Sequence, residues 1–249
     1  MHDTVAVVLA AGMGKRMKSD LPKVLCPVLG RPMIDYVLDA LSAAGVRRVV
    51  AVVGYRGEEV VTALRDRSNV DFAWQTERLG TGHAVQIARD KLAGHGGPVV
   101  IVAGDSPMIQ AASIQRLLGH YQVAQPSCLL GTLHKANPAG LGRIVRDGAG
   151  EFLAIVEEKD ATPAQRPLTE VNMSTYVFRG PDLLHALGQL QNNNQQGEFY
   201  LTDCPGILRR EGKLVEALPV LQPCEALSIN TPEELGQVEA ELRRMGYSQ

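Results

Sequence analysis

The sequence predicts an α/β protein, with a mixed, mainly parallel sheet of Rossmann-like type covered on both faces by helices. Three observations carry that prediction. Short β-branched runs alternate with stretches of helical periodicity. The first run, residues 5–9, is apolar throughout and opens into a glycine-rich turn. No linker rich in Pro, Gly or Ser divides the 249 residues, 45% of them apolar and 21% charged, so one domain over 1–249 is expected.

The elements follow in order. Residues 5–9, 48–53, 70–74, 99–103 and 127–133 read as strands. Between them 33–44, 58–65, 84–92 and 113–124 carry apolar residues three and four apart, as amphipathic helices do. Residues 134–171 are less regular and rich in glycine, which predicts an inserted lobe. Residues 172–178 and 214–218 read as later strands and 183–190 as a later helix. The polar tract 191–197 reads as a loop. A last helix over 232–245 starts with Thr231 as N-cap and Pro232 in its first turn. Open sheets of this kind bind ligands beyond the carboxyl ends of their strands, and the polar motifs fall there.

Composition narrows the function classes. A formal net charge of −2 without a long basic run gives nucleic-acid binding little support. No stretch approaches the length of a membrane span, and Asp3 argues against a signal peptide. Cys26, Cys128, Cys204 and Cys224 are scattered without a Cys-x-x-Cys, so neither disulfides nor zinc are expected and a reducing cytoplasm is the expected location. A homo-oligomer remains open.

Residues 9–23 read Leu-Ala-Ala-Gly-Met-Gly-Lys-Arg-Met-Lys-Ser-Asp-Leu-Pro-Lys. Gly12 and Gly14 permit close backbone approach, so that main chain from Leu9, Ala10 and Ala11 onward can present N–H groups to phosphate oxygens. Arg16 offers a planar fork and Lys23 a mobile point charge. The third glycine of a dinucleotide fingerprint would fall at Met17, and no Gly-x-x-x-x-Gly-Lys-Ser/Thr occurs. A bare Gly-x-Gly turn also serves simply to lead a strand into a helix; its combination with Arg16 and Pro22-Lys23 favours a triphosphate cradle of another type.

Leu-x-x-Gly-x-Gly-x-Arg followed by Leu-Pro-Lys-x-Leu resembles the sugar-phosphate nucleotidyltransferases. Within them it is most similar to the uridyltransferase half of the bacterial bifunctional N-acetylglucosamine-1-phosphate uridyltransferases. The resemblance runs from about Val5 to Asn230. It implies a nucleotide-diphospho-sugar transferase fold, with a nucleotide part over about 1–133, a sugar-phosphate part over about 134–230 and a C-terminal helix over 231–249. It implies the conversion of UTP and N-acetylglucosamine-1-phosphate to UDP-N-acetylglucosamine and pyrophosphate with Mg²⁺. The hexapeptide periodicity of a left-handed β-helix is absent, so an acetyltransferase activity is not expected.

The resemblance also assigns roles. Lys23 would meet the α-phosphate and Arg16 the leaving pyrophosphate. Asp105, in Gly104-Asp105-Ser106-Pro107 after an apolar strand, and Asn230, in Ile229-Asn230-Thr231-Pro232, would hold the metal. On the residues alone, a carboxylate at the end of a buried strand favours a cation, with a turn or capping aspartate as the alternative for Asp105, and Asn230 is equally a helix cap. Gln75 carries a donor and an acceptor that match the O4/N3–H edge of uracil, with Gly80 and Thr81 beside it. His83 is set aside as a structural residue, because the sugar phosphate is already an anionic nucleophile.

Gly142, Glu157, Asn172, Tyr200 and Thr202 match the family's sugar-phosphate positions in order. Taken singly, Glu157 sits in an ordinary charge run and Tyr200 is an ordinary core aromatic. Ala103 stands where relatives usually carry tyrosine, and Asn172-Met173-Ser174-Thr175 replaces the more usual Asn-Thr-Gly. Two alternatives stay within reach: transfer to another sugar-1-phosphate such as glucose-1-phosphate, with uridylyl or thymidylyl donors, and a non-catalytic nucleotide-sugar sensor.

Overall fold

The computed structural model describes residues 3–14, 17 and 19–248. Its principal sheet runs in the order β5 (Val70–Trp74), β4 (Arg48–Val53), β1 (Val5–Ala10), β6 (Pro98–Ala103), β10 (Glu170–Arg179), β7 (Cys128–His134), β11 (Val215–Leu218). Strands β5, β4, β1 and β6 are mutually parallel, β10 is antiparallel to both its neighbours, and β11 runs parallel to β7. The mixed, mainly parallel sheet is the one the sequence predicts.

Both faces of this sheet are buried, which explains why its strands are apolar without alternation. Val5 and Val7 enter one core, and Ala6, Val8 and Ala10 the other. Helices α3 (Thr81–Ile87), α4 (Arg89–Leu92), α6 (Gly180–Leu187) and α7 (Asp203–Arg210) cover the first face, through residues such as Val85, Leu92, Leu183 and Ile207. Helices α1 (Met33–Ala43), α2 (Gly57–Ala63) and α5 (Ala111–Ala124) cover the second, through Val37, Leu41, Val60 and Leu117.

A third cluster joins the loop after β1 to the C-terminal helix α8 (Pro232–Arg244). Met17, Cys26, Val28, Met33 and Tyr36 meet Ile229, Val238 and Leu242 there. The short ribbon of β2 (Pro27–Val28) and β3 (Arg31–Pro32) supports it, and Glu239 Oε1 accepts from the Leu29 N–H at 3.0 Å. As expected, Thr231 caps α8, its hydroxyl accepting from Glu234 N at 3.3 Å with Pro232 in the first turn. This packing brings Asn230, some 200 residues away in sequence, to the loop that follows β1.

The structure departs from the sequence reading in several places, among them the later helix, expected over 183–190 and found as α6 at Gly180–Leu187. The helix expected over 84–92 begins at Thr81 and is broken at Ala88 into α3 and α4. Helix α7 was not expected, because Pro205 obscured the pattern; at the third helical position proline lacks only an N–H that has no helical partner. The segment 134–171 is more regular than expected: β8 (Gly142–Arg146) and β9 (Phe152–Val156) form a hairpin that pairs with the start of β10. Finally, the strand read over 172–178 starts at Glu170.

Polar clamps fix the hairpin to the sheet. Glu170 accepts from Arg146 at 2.7 Å through both oxygens and from the Thr132 hydroxyl at 2.7 Å. Arg143, only 1% exposed, donates to the Arg166 carbonyl and to Glu158. Among the described residues no helix is long and apolar enough to cross a membrane.

Candidate active site

The loop after β1 lies over the carboxyl ends of the parallel strands. Leu9 O accepts from Gly104 N at 2.9 Å and Ala11 O from Tyr55 N at 3.3 Å, tying this loop to the ends of β6 and β4. Gly14 has φ +66°, and a Cβ there would stand 2.9 Å from the Lys23 Cβ, so the glycine turn and the lysine are in direct apposition. Lys23 N donates to Gly12 O at 3.3 Å, and Pro22 directs the chain into a 3₁₀ turn over Lys23–Leu25. Arg16, predicted to act on pyrophosphate, lies outside the described residues.

The Lys23 ammonium is held between two side chains from distant parts of the chain. It donates to Asp105 Oδ2 at 2.5 Å and to Asn230 Oδ1 at 3.0 Å. Asp105 sits in the turn after β6 and does not cap α5, whose first turn is served by Glu225: its oxygens accept from Gln110 N at 3.0 Å and the Ser113 hydroxyl at 2.6 Å. Asn230 is oriented by its N–H to Glu234 Oε2, 2.6 Å away.

Two hard oxygens thus converge on one point, and the group at that point is a cation. The donor set suits a hard divalent ion whose shell is completed by phosphate and water. Among the described residues no cluster of three His, Cys, Asp or Glu side chains is arranged for a metal, so the protein alone would not fill such a shell.

A pocket of about 310 Å³ extends from this point. Leu9, Ala11, Gly12, Lys23 and Asp105 line it together with Gln75, Gly80 and Thr81. Ala10, by contrast, is fully buried in the second core, and Gly14 faces Lys23. Gln75 is 5% exposed; its amide nitrogen donates to Gly80 O at 3.2 Å and lies 3.1 Å from His83 Nδ1. The Gly80 carbonyl can only accept, which fixes the amide orientation and commits both amide hydrogens. Gln75 therefore has its acceptor oxygen left for a ligand, rather than the donor–acceptor pair expected from sequence. His83 serves as that amide's partner.

A second cavity, of about 560 Å³, adjoins Glu157 and is lined by Tyr200, Thr202, Asp160, Asp203 and Arg210 together with Gln189, Gln191 and Asn194. Glu157 Oε1 accepts from the Thr202 hydroxyl at 2.9 Å. Burial pushes the Glu157 carboxyl above the usual carboxylate range; the Thr202 bond opposes this, and Asp160, Asp203 and Glu198 reinforce it. Burial likewise raises Asp203, against the pull of Arg210. Asp160 Oδ2 is buried without a hydrogen-bond partner among the described residues.

Gly142 stands opposite Asn172 across the β8–β10 ladder, and a Cβ on it would meet Asn172 Cβ at 3.6 Å and Glu157 Oε1 at 3.7 Å. Asn172 donates to the Tyr176 hydroxyl at 2.8 Å, and the Tyr200 hydroxyl accepts from Gln196 at 2.7 Å.

The two cavities share one wall. Gly82 N donates to Phe199 O at 2.7 Å, Phe199 N to Leu79 O at 2.8 Å, and Leu201 N to the Thr81 hydroxyl at 3.1 Å. Gly80 has φ +111°, and a Cβ there would lie 2.5 Å from Phe199 O, so no other residue fits this crossing without moving the backbone.

The MobA-like NTP transferase domain model matches residues 6–196. The chain belongs to that family. Relatives of this NTP transferase include the "Bifunctional protein GlmU" of Pelotomaculum thermopropionicum, 43% identical over 97% of this chain and 52% of the relative. The proteins of the same name from Exiguobacterium sp. and Heliobacterium modesticaldum are 43% and 44% identical, over 96% and 98% of this chain. The NTP transferase chain spans about half the length of these curated relatives.

The sequence reading did not single out Arg78, Ser174 and Glu198 in the first pocket, nor Asp160, Asp203 and Arg210 in the second. Arg78, Asp160, Glu198 and Asp203 stand within three residues of Gln75, Glu157, Tyr200 or Thr202, and that adjacency was the available signal. Ser174 was noted only as part of the departure Asn172-Met173-Ser174-Thr175, and its place on the pocket wall goes with an irregularity in β10.

Proposed function

We propose that this chain converts UTP and N-acetylglucosamine-1-phosphate to UDP-N-acetylglucosamine and pyrophosphate, with Mg²⁺. The observation that carries the reading is the Lys23 ammonium bracketed by Asp105 and Asn230 in a pocket that also presents a buried amide acceptor. An acceptor there suits the N3–H of uracil or thymine and opposes cytosine, whose N3 is itself an acceptor. The acidic cavity beside it suits a neutral, hydroxyl-rich sugar, since carboxylates accept from several hydroxyls at once. The motif order in this half of the chain and the relatives named GlmU support N-acetylglucosamine in particular.

The sugar phosphate is an anion at neutral pH, so an oxygen lone pair attacks the α-phosphorus of UTP directly. The bond from that phosphorus to its bridging oxygen breaks, and pyrophosphate leaves in line. Lys23 neutralises charge on the α-phosphate as it builds, and Arg16 with the Gly12 and Gly14 main chain holds the departing pyrophosphate. Leu9 and Ala11 supply the floor under the nucleoside, Ala10 being buried in the core beneath it, and Thr81 with Gly80 borders the base. Glu157, Asn172, Gly142, Tyr200 and Thr202 orient the sugar. Asp105 and Asn230 would hold Mg²⁺, which supplies positive charge against the triphosphate.

Product analysis with UTP, dTTP, CTP and GTP against N-acetylglucosamine-1-phosphate tests this reading. UDP-N-acetylglucosamine should dominate, with little CDP-sugar. Preference for a purine or for CTP would overturn the assignment of Gln75.

A further inference from the structure

We propose that the Ser174 hydroxyl is a specificity-determining contact to the ribose of the bound nucleoside triphosphate, a proposal that rests on the reading just given. Ser174 sits inside β10 yet has φ +53°, at a break in register between Asn172 and Thr175. A non-glycine residue is strained in that left-handed region, and bulges beside functional sites re-aim a side chain. Here the irregularity leaves Ser174 half-buried on the wall of the nucleotide pocket.

Its place along that wall identifies the part of the ligand it meets. The base belongs at Gln75 and the α-phosphate at Lys23, so the ribose must span the wall between them. Leu9 pairs with Ala103, and Tyr176 with Ile101, so Ser174, two residues before Tyr176 on an antiparallel strand, reaches the level of Ala103. Leu9 and Ala103 offer only apolar surface on this row. Ser174 adds a hydroxyl to it.

The break is braced from the core: Asn172 Nδ2 donates to the Tyr176 oxygen at 2.8 Å, and Ser174 N donates to Asn172 Oδ1 at 3.2 Å.

Calorimetric binding of UTP, 2′-deoxy-UTP and 3′-deoxy-UTP with Mg²⁺ to the parent, Ser174→Ala and Ser174→Gly proteins tests the contact, with Tm measured alongside. Both variants should bind UTP about 3- to 10-fold more weakly, the loss expected for one hydrogen bond. The difference from parent should disappear with whichever deoxy analogue lacks the contacted hydroxyl. S174G, relieved of strain, should melt above S174A by about 1–3 °C. Parent-like UTP affinity in both variants would overturn the proposal and leave Ser174 a purely structural residue. A loss undiminished with both analogues would overturn it as well. Binding is read without turnover, so a parent protein that binds UTP yet forms no product refutes the proposed reaction while leaving this test intact.

Discussion

The pocket proposed for the nucleotide carries two cationic side chains, Lys23 and Arg78, beside Asp105 and Glu198, whereas the neighbouring cavity is walled by three carboxylates, the single guanidinium of Arg210 and a series of amides. The first pocket is pinned to the ends of parallel strands, where buried neighbours leave the loops little freedom. The second stands on a hairpin and a loop held by polar clamps around Glu170 and Arg143. The contrast matches the two ligands proposed. A triphosphate needs positive charge and N–H donors, and a sugar needs acceptors for hydroxyls. The segment 199–201 seals one cavity against the other, so that the same hydrogen bonds that border the base also set the position of Tyr200 and Thr202.

Removing the Lys23 ammonium should give the largest effect. Lys23→Ala should lower turnover by at least about two orders of magnitude, the scale of losing one transition-state charge contact. The same variant should bind Mn²⁺ more tightly than the parent in the absence of nucleotide, measured by electron paramagnetic resonance, because Lys23 no longer competes for Asp105 and Asn230. Unchanged turnover would remove the distinction between the two cavities.

Glu157→Gln tests the acidic side. KM for the sugar phosphate should rise about 10-fold or more, with KM for UTP near the parent value, since hydrogen bonds to a charged acceptor are the stronger kind. The pH dependence follows from the upward shift of this carboxyl. Its protonated form is favoured in the folded protein, so its contribution to stability is present below the ordinary carboxylate pKa and lost as pH rises through the raised value. The ionised form is the better acceptor. KM for the sugar phosphate should therefore rise as pH falls through that raised value, and the inflection should be missing in E157Q.

A smaller effect is expected at the base. Gln75→Ala should reduce discrimination of UTP over CTP by about 10-fold in kcat/KM, as one hydrogen bond commands. The smallest concerns the shared wall: Thr81→Val leaves the Leu201 N–H without its acceptor, at about 1 kcal/mol, and should lower Tm by about 2–4 °C. A mutant cycle of T81V with E157Q would then show how far the wall couples the cavities.

The parallel half of the fold was legible because each strand is a local, β-branched run followed by a helical repeat. The hairpin 142–156 was not, since β8 carries two arginines and draws its stability from pairing with β10 and from buried Arg143. The early start of α3 depends on Gly80 crossing Phe199, a tertiary contact that no local pattern reveals. For the site, Lys23, Asp105 and Asn230 could be named from their motifs, but their convergence on one point required the C-terminal helix to dock through Ile229, Val238 and Leu242. Gln75 was named with both its groups available, and only the buried contacts to Gly80 and His83 show which of them is free.

The most direct measurement is pyrophosphate release with Mg²⁺ and UTP across a panel of sugar-1-phosphates. Release that depends on N-acetylglucosamine-1-phosphate, and that falls away in Lys23→Ala, is the predicted result. Tight UTP binding without release from any sugar phosphate would contradict the account and favour a nucleotide-sugar sensor.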